Sequence, residues 1–169
     1  MRISEGLRLT PGEILGVSGW KKLSQDRIDR FAEATDDFQF IHLDEARAAA
    51  ETPFGGAIAH GFLALSLVSA LAQEAFPVTP GLKAVMIMAV DRVKFVSPVR
   101  AGKQVRGAFV LDRLVWMSQT KAVVKVRVTI EIEDQPEPAL RCDVTWLLQF
   151  EDNASSPAMR QAALEMEHA

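Results

Sequence analysis

The chain has one cysteine, three histidines and no long run of basic residues. A lone Cys142 leaves no internal disulfide, and its strand-like surroundings, Ala139-Leu140-Arg141-Cys142-Asp143-Val144, mark a packed thiol rather than a nucleophile. His42, His60 and His168 give no ligand-spaced cluster, so no metal is expected. No glycine-rich phosphate loop is present, and no cofactor is expected. Nineteen basic and 22 acidic residues leave a net charge of −3, which argues against nucleic acid as a partner. The opening residues lack the apolar centre of a signal peptide. The longest apolar run, Ala57 to Ala72, falls short of the roughly 20 residues that a membrane span needs. A cytoplasmic protein without membrane contact is the expectation.

A length of 169 residues, 49% of them hydrophobic and 24% charged, fits one soluble domain with a real core. Ser24 can cap a helix that runs to Ala34, with Asp26 in its first turn and Leu23, Ile28, Phe31 and Ala34 as its apolar stripe. Asp44 can cap a second, alanine-rich helix to Ala50, which Pro53-Phe54-Gly55-Gly56 then breaks. His60 to Glu74 is apolar on nearly every face, and such a helix must be enclosed by other structure. Small residues on it (Gly61, Ala64, Ser66, Ser69, Ala70) leave room for close packing.

The period then changes. Leu82–Pro98, Lys103–Met117, Thr120–Glu133 and Ala139–Glu151 read as strands. The third is clearest, with Val124, Val126, Val128, Ile130 and Ile132 alternating with Lys125, Arg127, Thr129 and Glu131. Short turns at Pro98–Gly102 and Asp134–Pro138 make the sheet antiparallel. One sheet face needs covering and so does the apolar helix. The economical solution is an α+β domain in which a long curved sheet wraps around the helix. It would occupy residues 1–150, followed by a polar tail at 151–169 with the Ala- and Glu-containing composition of a short exposed helix.

Asp37 and His42 stand just past the first helix, with four residues between them, and His60-Gly61 opens the apolar helix eighteen residues later. A carboxylate and an imidazole can activate a water, while an amide at a helix start can hold a negative oxygen. That set of tasks is the addition of water to an activated double bond, or its removal.

Two segments, Phe31-Ala32-Glu33-Ala34-Thr35-Asp36-Asp37-Phe38-Gln39-Phe40-Ile41-His42-Leu43-Asp44 and Phe54-Gly55-Gly56-Ala57-Ile58-Ala59-His60-Gly61-Phe62-Leu63, resemble the MaoC-like dehydratases. The Gln-aromatic-Ile-His wording is most similar to the branch related to nodulation protein N, and the likeness continues through Val93–Val99. The resemblance implies a hotdog fold and a homodimer, with an acyl-CoA thioester as substrate. The activity it implies is cofactor-free hydration of trans-2-enoyl-CoA to (R)-3-hydroxyacyl-CoA, or the reverse. It assigns catalysis to Asp37 and His42, the oxyanion amide to Gly61 and the helix serine to Ser69, a substrate contact; Gln39 and His60, beside these residues, are the further candidate substrate contacts. Asp36 stands where the family usually has glycine, a matter of consequence if the backbone there is left-handed. Two alternatives share the fold. A thioesterase would need a carboxylate on the central helix, where Glu74, at the far end, is the acid available. A non-catalytic acyl-CoA-binding subunit would bind the thioester without turnover.

Overall fold

The computed structural model describes residues 10–76, 81–118 and 120–151. The expected polar tail lies outside the described residues. Two short strands, β1 (Ile14–Val17) and β2 (Lys21–Lys22), lead into helices α1 (Gln25–Thr35), α2 (Phe40–Leu43) and α3 (Glu45–Glu51). The apolar segment forms α4 (Gly61–Ser66) and α5 (Val68–Ala75), and the chain ends in four long strands. These are β3 (Leu82–Phe95), β4 (Gln104–Ser118), β5 (Lys121–Ile132) and β6 (Leu140–Phe150). All pairings are antiparallel, in the order β1-β4-β5-β6-β3, with β2 also on β4.

Local chemistry sets the helix boundaries. The Ser24 hydroxyl accepts from the Arg27 amide, and the Asp44 carboxylate accepts from the Arg47 amide at 2.9 Å, each satisfying a first-turn donor. The inward face of the sheet is the even-numbered set of β5 and β6: Val124 to Ile132, and Leu140 to Phe150. With Val105, Phe109 and Leu111 of β4 they pack against Leu63, Ala64, Val68, Leu71 and Ala72 of the two apolar helices. Helix α5 lies so close to β4 that a Cβ on Gly107 would stand 2.7 Å from the Phe109 ring and 3.2 Å from Leu71 Cβ. Glycine is therefore required there. Cys142 is packed in this core, and burial, with Asp143 beside it, pushes its thiol up to about 11. The packed-thiol reading holds.

The central segment departs from expectation in two ways. It is two helices broken at Leu67 rather than one. Nor is it enclosed on all sides, because Gly61, Phe62, Ser66 and Ala70 face outward. Beside them, β3 is exposed along most of its length although apolar; Ile87 is 52% and Met88 62% exposed. Among the described residues no helix is long and apolar enough to cross a membrane.

Candidate active site

Helix α1 ends at Asp36 in a left-handed conformation, φ 59° and ψ 21°. That conformation is the one the glycine comparison raised, and aspartate is among the few residues that adopt it routinely as a single position. The turn throws Asp37 out of the helix, its side chain 53% exposed and its Oδ1 accepting from the Gln39 amide at 3.5 Å. The next residues form α2, so His42 sits on a short helix. Gln25 of α1 anchors that helix by donating to the His42 carbonyl at 2.8 Å.

The segment 57–60 runs extended beneath α2. Its Ile58 amide donates to the Ile41 carbonyl at 3.0 Å, and its Ala59 amide to the Val99 carbonyl at 2.8 Å. Arg100 and Glu45 brace it from below: Arg100 donates to the Phe54 carbonyl and to Glu45, whose other oxygen accepts from the Ala57 amide at 2.6 Å. The braced strand presents the Ile58 carbonyl to His42 Nδ1 at 2.8 Å. A carbonyl only accepts, so His42 donates through Nδ1, and Nε2 of the neutral ring carries the lone pair. Burial holds the ring below its ordinary value of 6.5; His60 pushes the same way, while the Ile58 bond and Asp37 oppose.

His60 lies under His42, only 2% exposed, with the two rings stacked at 3.7 Å and Phe31 of α1 at 5.1 Å on the ring of His60. Its Nε2 donates to the Asp37 backbone carbonyl at 3.0 Å and stands 4.0 Å from Asp37 Oδ2. It occupies the position preceding α4 without capping that helix through its side chain.

A carboxylate oxygen of Asp37 and a ring nitrogen from each histidine lie within 4.8 Å of one another. Residue spacing gave no hint of this cluster, since the fold alone stacks two imidazoles eighteen positions apart. The donor set has the chemistry of a metal site, but its geometry is poor for one. Rings stacked 27° from parallel direct their in-plane lone pairs side by side rather than onto a common point.

Gly61 follows at the start of α4, where its N–H has no acceptor within the helix. The Phe95 ring covers it so closely that a Cβ would meet Cδ1 and Cε1 at 3.0 Å. Sequence reasoning missed both Phe95 and the Ile58 carbonyl. Phe95 lay in a matching segment, whereas a backbone acceptor leaves no signal in residue types. Gln39 is exposed beside Asp37, and Ser69 is half-buried in the first turn of α5, outside the cluster. Glu74, the acid that a thioesterase would need, lies near the end of α5 and is paired with Lys21.

A profile of the MaoC-like domain matches residues 8–135. The chain belongs to the MaoC-like family. Among curated relatives it is 44% identical to nodulation protein N of Rhizobium leguminosarum bv. viciae over 142 residues, 84% of this chain and 88% of that one. It is 36% identical to 3-hydroxyacyl-thioester dehydratase Z of Mycobacterium tuberculosis over 133 residues, 79% and 87% of the two chains. The crystallised (R)-hydratase of A. caviae shares the architecture at a TM-score of 0.66 and 24% identity, covering 82% of this chain and 96% of that one. The fold of this MaoC-like chain is thus the hotdog expected from its motifs, a six-stranded antiparallel sheet packed on the broken apolar helix α4–α5.

Proposed function

We propose that the protein is a cofactor-free, cytoplasmic hydro-lyase that interconverts a trans-2-enoyl-CoA and an (R)-3-hydroxyacyl-CoA. The observation that carries this reading is the convergence of the Asp37 carboxylate and the His42 ring within 4.8 Å, with the amide of Gly61 one residue beyond His60. A relative named as a dehydratase of 3-hydroxyacyl thioesters supports the substrate class.

In hydration the water oxygen bonds to C3, the π electrons shift onto the thioester oxygen as an enolate, and a proton then joins C2. Asp37 is the general base that takes the proton from water. His42 accepts the water's other hydrogen at Nε2 and aims it. Because that nitrogen is unprotonated at rest, the proton that C2 receives is the one Asp37 took from water, handed on directly or through His42 Nε2, which restores the carboxylate and the neutral imidazole. Both groups act from one side, which makes the addition syn. The Gly61 N–H, lacking a helical acceptor, binds the enolate oxygen; one such donor is worth about 2.7–4 kcal/mol in comparable oxyanion sites. Gln39, exposed beside Asp37, and Ser69 of α5 are the contacts proposed for the thioester or acyl chain.

The homodimer belongs to the same reading. Strand β3 pairs with β6 on one side only among the described residues, and it carries seven of the exposed large apolar side chains, Val85 to Met88, Val90, Val93 and Phe95. A second copy set against β3 and the outer face of α4 would cover them and bring the substrate to Gly61 and Phe95 along the boundary. The test is turnover of crotonyl-CoA, followed as loss of enoyl absorbance, with the configuration of the product analysed. The (R) alcohol is expected. Release of free thiol instead would replace the hydratase with a thioesterase, and binding without either signal would leave an acyl-CoA-binding subunit.

A further inference from the structure

We infer that His60 is a positioning residue that holds the general base and the water-aiming imidazole in mutual register, an inference that rests on the hydratase reading above. Buried to 2% exposure, His60 has no route to bulk solvent and little surface to offer a substrate. Its contacts are instead the two reacting groups themselves. Nε2–H ties down the Asp37 carbonyl at 3.0 Å, and the ring face supports His42 at 3.7 Å. Phe31 backs the stack from α1, so three elements lock one ring: α1, the turn carrying Asp37, and the entry to α4.

The geometry explains why this residue is a histidine. Leucine or phenylalanine would fill the space and leave the Asp37 carbonyl without its donor. Lysine would bring a charge into a site that already buries one imidazole. The ring supplies a flat apolar face and an N–H at its edge together. Its Nδ1 is buried and has no hydrogen-bond partner among the described residues. A buried polar atom left unsatisfied costs roughly 1–3 kcal/mol.

The comparison of His60→Phe with His60→Gln tests this. Phenylalanine keeps the stack and removes the donor, while glutamine restores a donor at the reach of Nε2. With crotonyl-CoA, His60→Phe is expected to lower kcat by about 10- to 100-fold, the scale of a small misplacement of reacting groups, with KM within about twofold. His60→Gln should recover several-fold of that loss. Independently of turnover, backbone order parameters of the Phe38 and Gln39 amides should fall in the Phe variant and recover in the Gln variant. Thermal melts of both variants confirm that each is folded. Wild-type kcat and order parameters in His60→Phe would overturn the inference. So would a raised KM at constant kcat, which would make His60 a substrate contact. If the wild-type protein hydrates no enoyl thioester, the proposed reaction fails, and the order parameters still decide the role of His60.

Discussion

Strands β5 and β3 are both long and rich in branched or flexible apolar residues, yet one is the centre of the core and the other lies open. In β5 a charged or polar residue follows each apolar one from Val124 to Ile132, and the apolar set is buried to within a tenth of its surface. In β3 seven apolar residues, Ala84 to Val90, run without interruption, and Val85, Met86, Ile87 and Met88 are each about half exposed or more. Alternation marks a strand with one wet face, and β5 has one, between β4 and β6 with α5 across it. An unbroken apolar run marks a strand meant to be covered on both faces. A single subunit covers β3 on neither, and its bulges, with Arg92 at φ 51°, keep the edge from being flat. The difference separates what one chain stabilises alone from what it holds ready for something else. Asp37, Gly61, Phe62 and Phe95 are exposed as well, with Phe62 and Gly61 against the Phe95 ring at the end of β3.

Substitutions should break the two regions in different ways. Phe109→Ala, beneath α5, should remove about 3–5 kcal/mol of stability, measured by urea denaturation. Met88→Ala on β3 should change monomer stability by less than about 0.5 kcal/mol. An equal loss at both positions would erase the contrast. Ile87→Lys should leave the melting temperature of the monomer nearly unchanged while weakening self-association by about a hundredfold or more, read by sedimentation. A dimer of unaltered affinity would move the partner surface away from β3.

The smallest effect is a titration. Burial lowers the His42 value below 6.5 in the folded protein, so the unfolded chain takes up the proton first as pH falls. Its contribution to stability is therefore complete above 6.5 and is lost between 6.5 and the lower folded value. The acid limb of kcat/KM should likewise fall below that of an ordinary histidine. Side-chain NMR of His42 checks the midpoint, and a value at or above 6.5 would contradict the burial argument.

Much of this was legible in the residues. Strand β5 followed from its period-two patterning, the limits of β3 to β6 largely from Pro/Gly turns, and the caps at Ser24 and Asp44 from first-turn chemistry. The short β1 and β2 have too few residues to show a period, and the break at Leu67 has no glycine or proline to announce it. Helix α2 was hidden because four residues make barely one turn. At the site, Asp37 and His42 were legible through their motif, and Gly61 through the second segment. The stacking of His60 on His42 was not, because it depends on an extended segment pinned by backbone bonds at Ile58 and Ala59. The exposed face of the apolar helices was misjudged for a similar reason. Composition says that a face is apolar, and only the assembly says what covers it.

The account turns on Asp37 and His42 acting on one water, and the direct test is kcat for crotonyl-CoA hydration in Asp37→Asn, His42→Ala and the double variant. Each single change should cost about 10²- to 10⁴-fold. The double variant should be little worse than the poorer single, as for groups that act as a unit. Wild-type turnover in either single variant, or losses that multiply in the double, would contradict it.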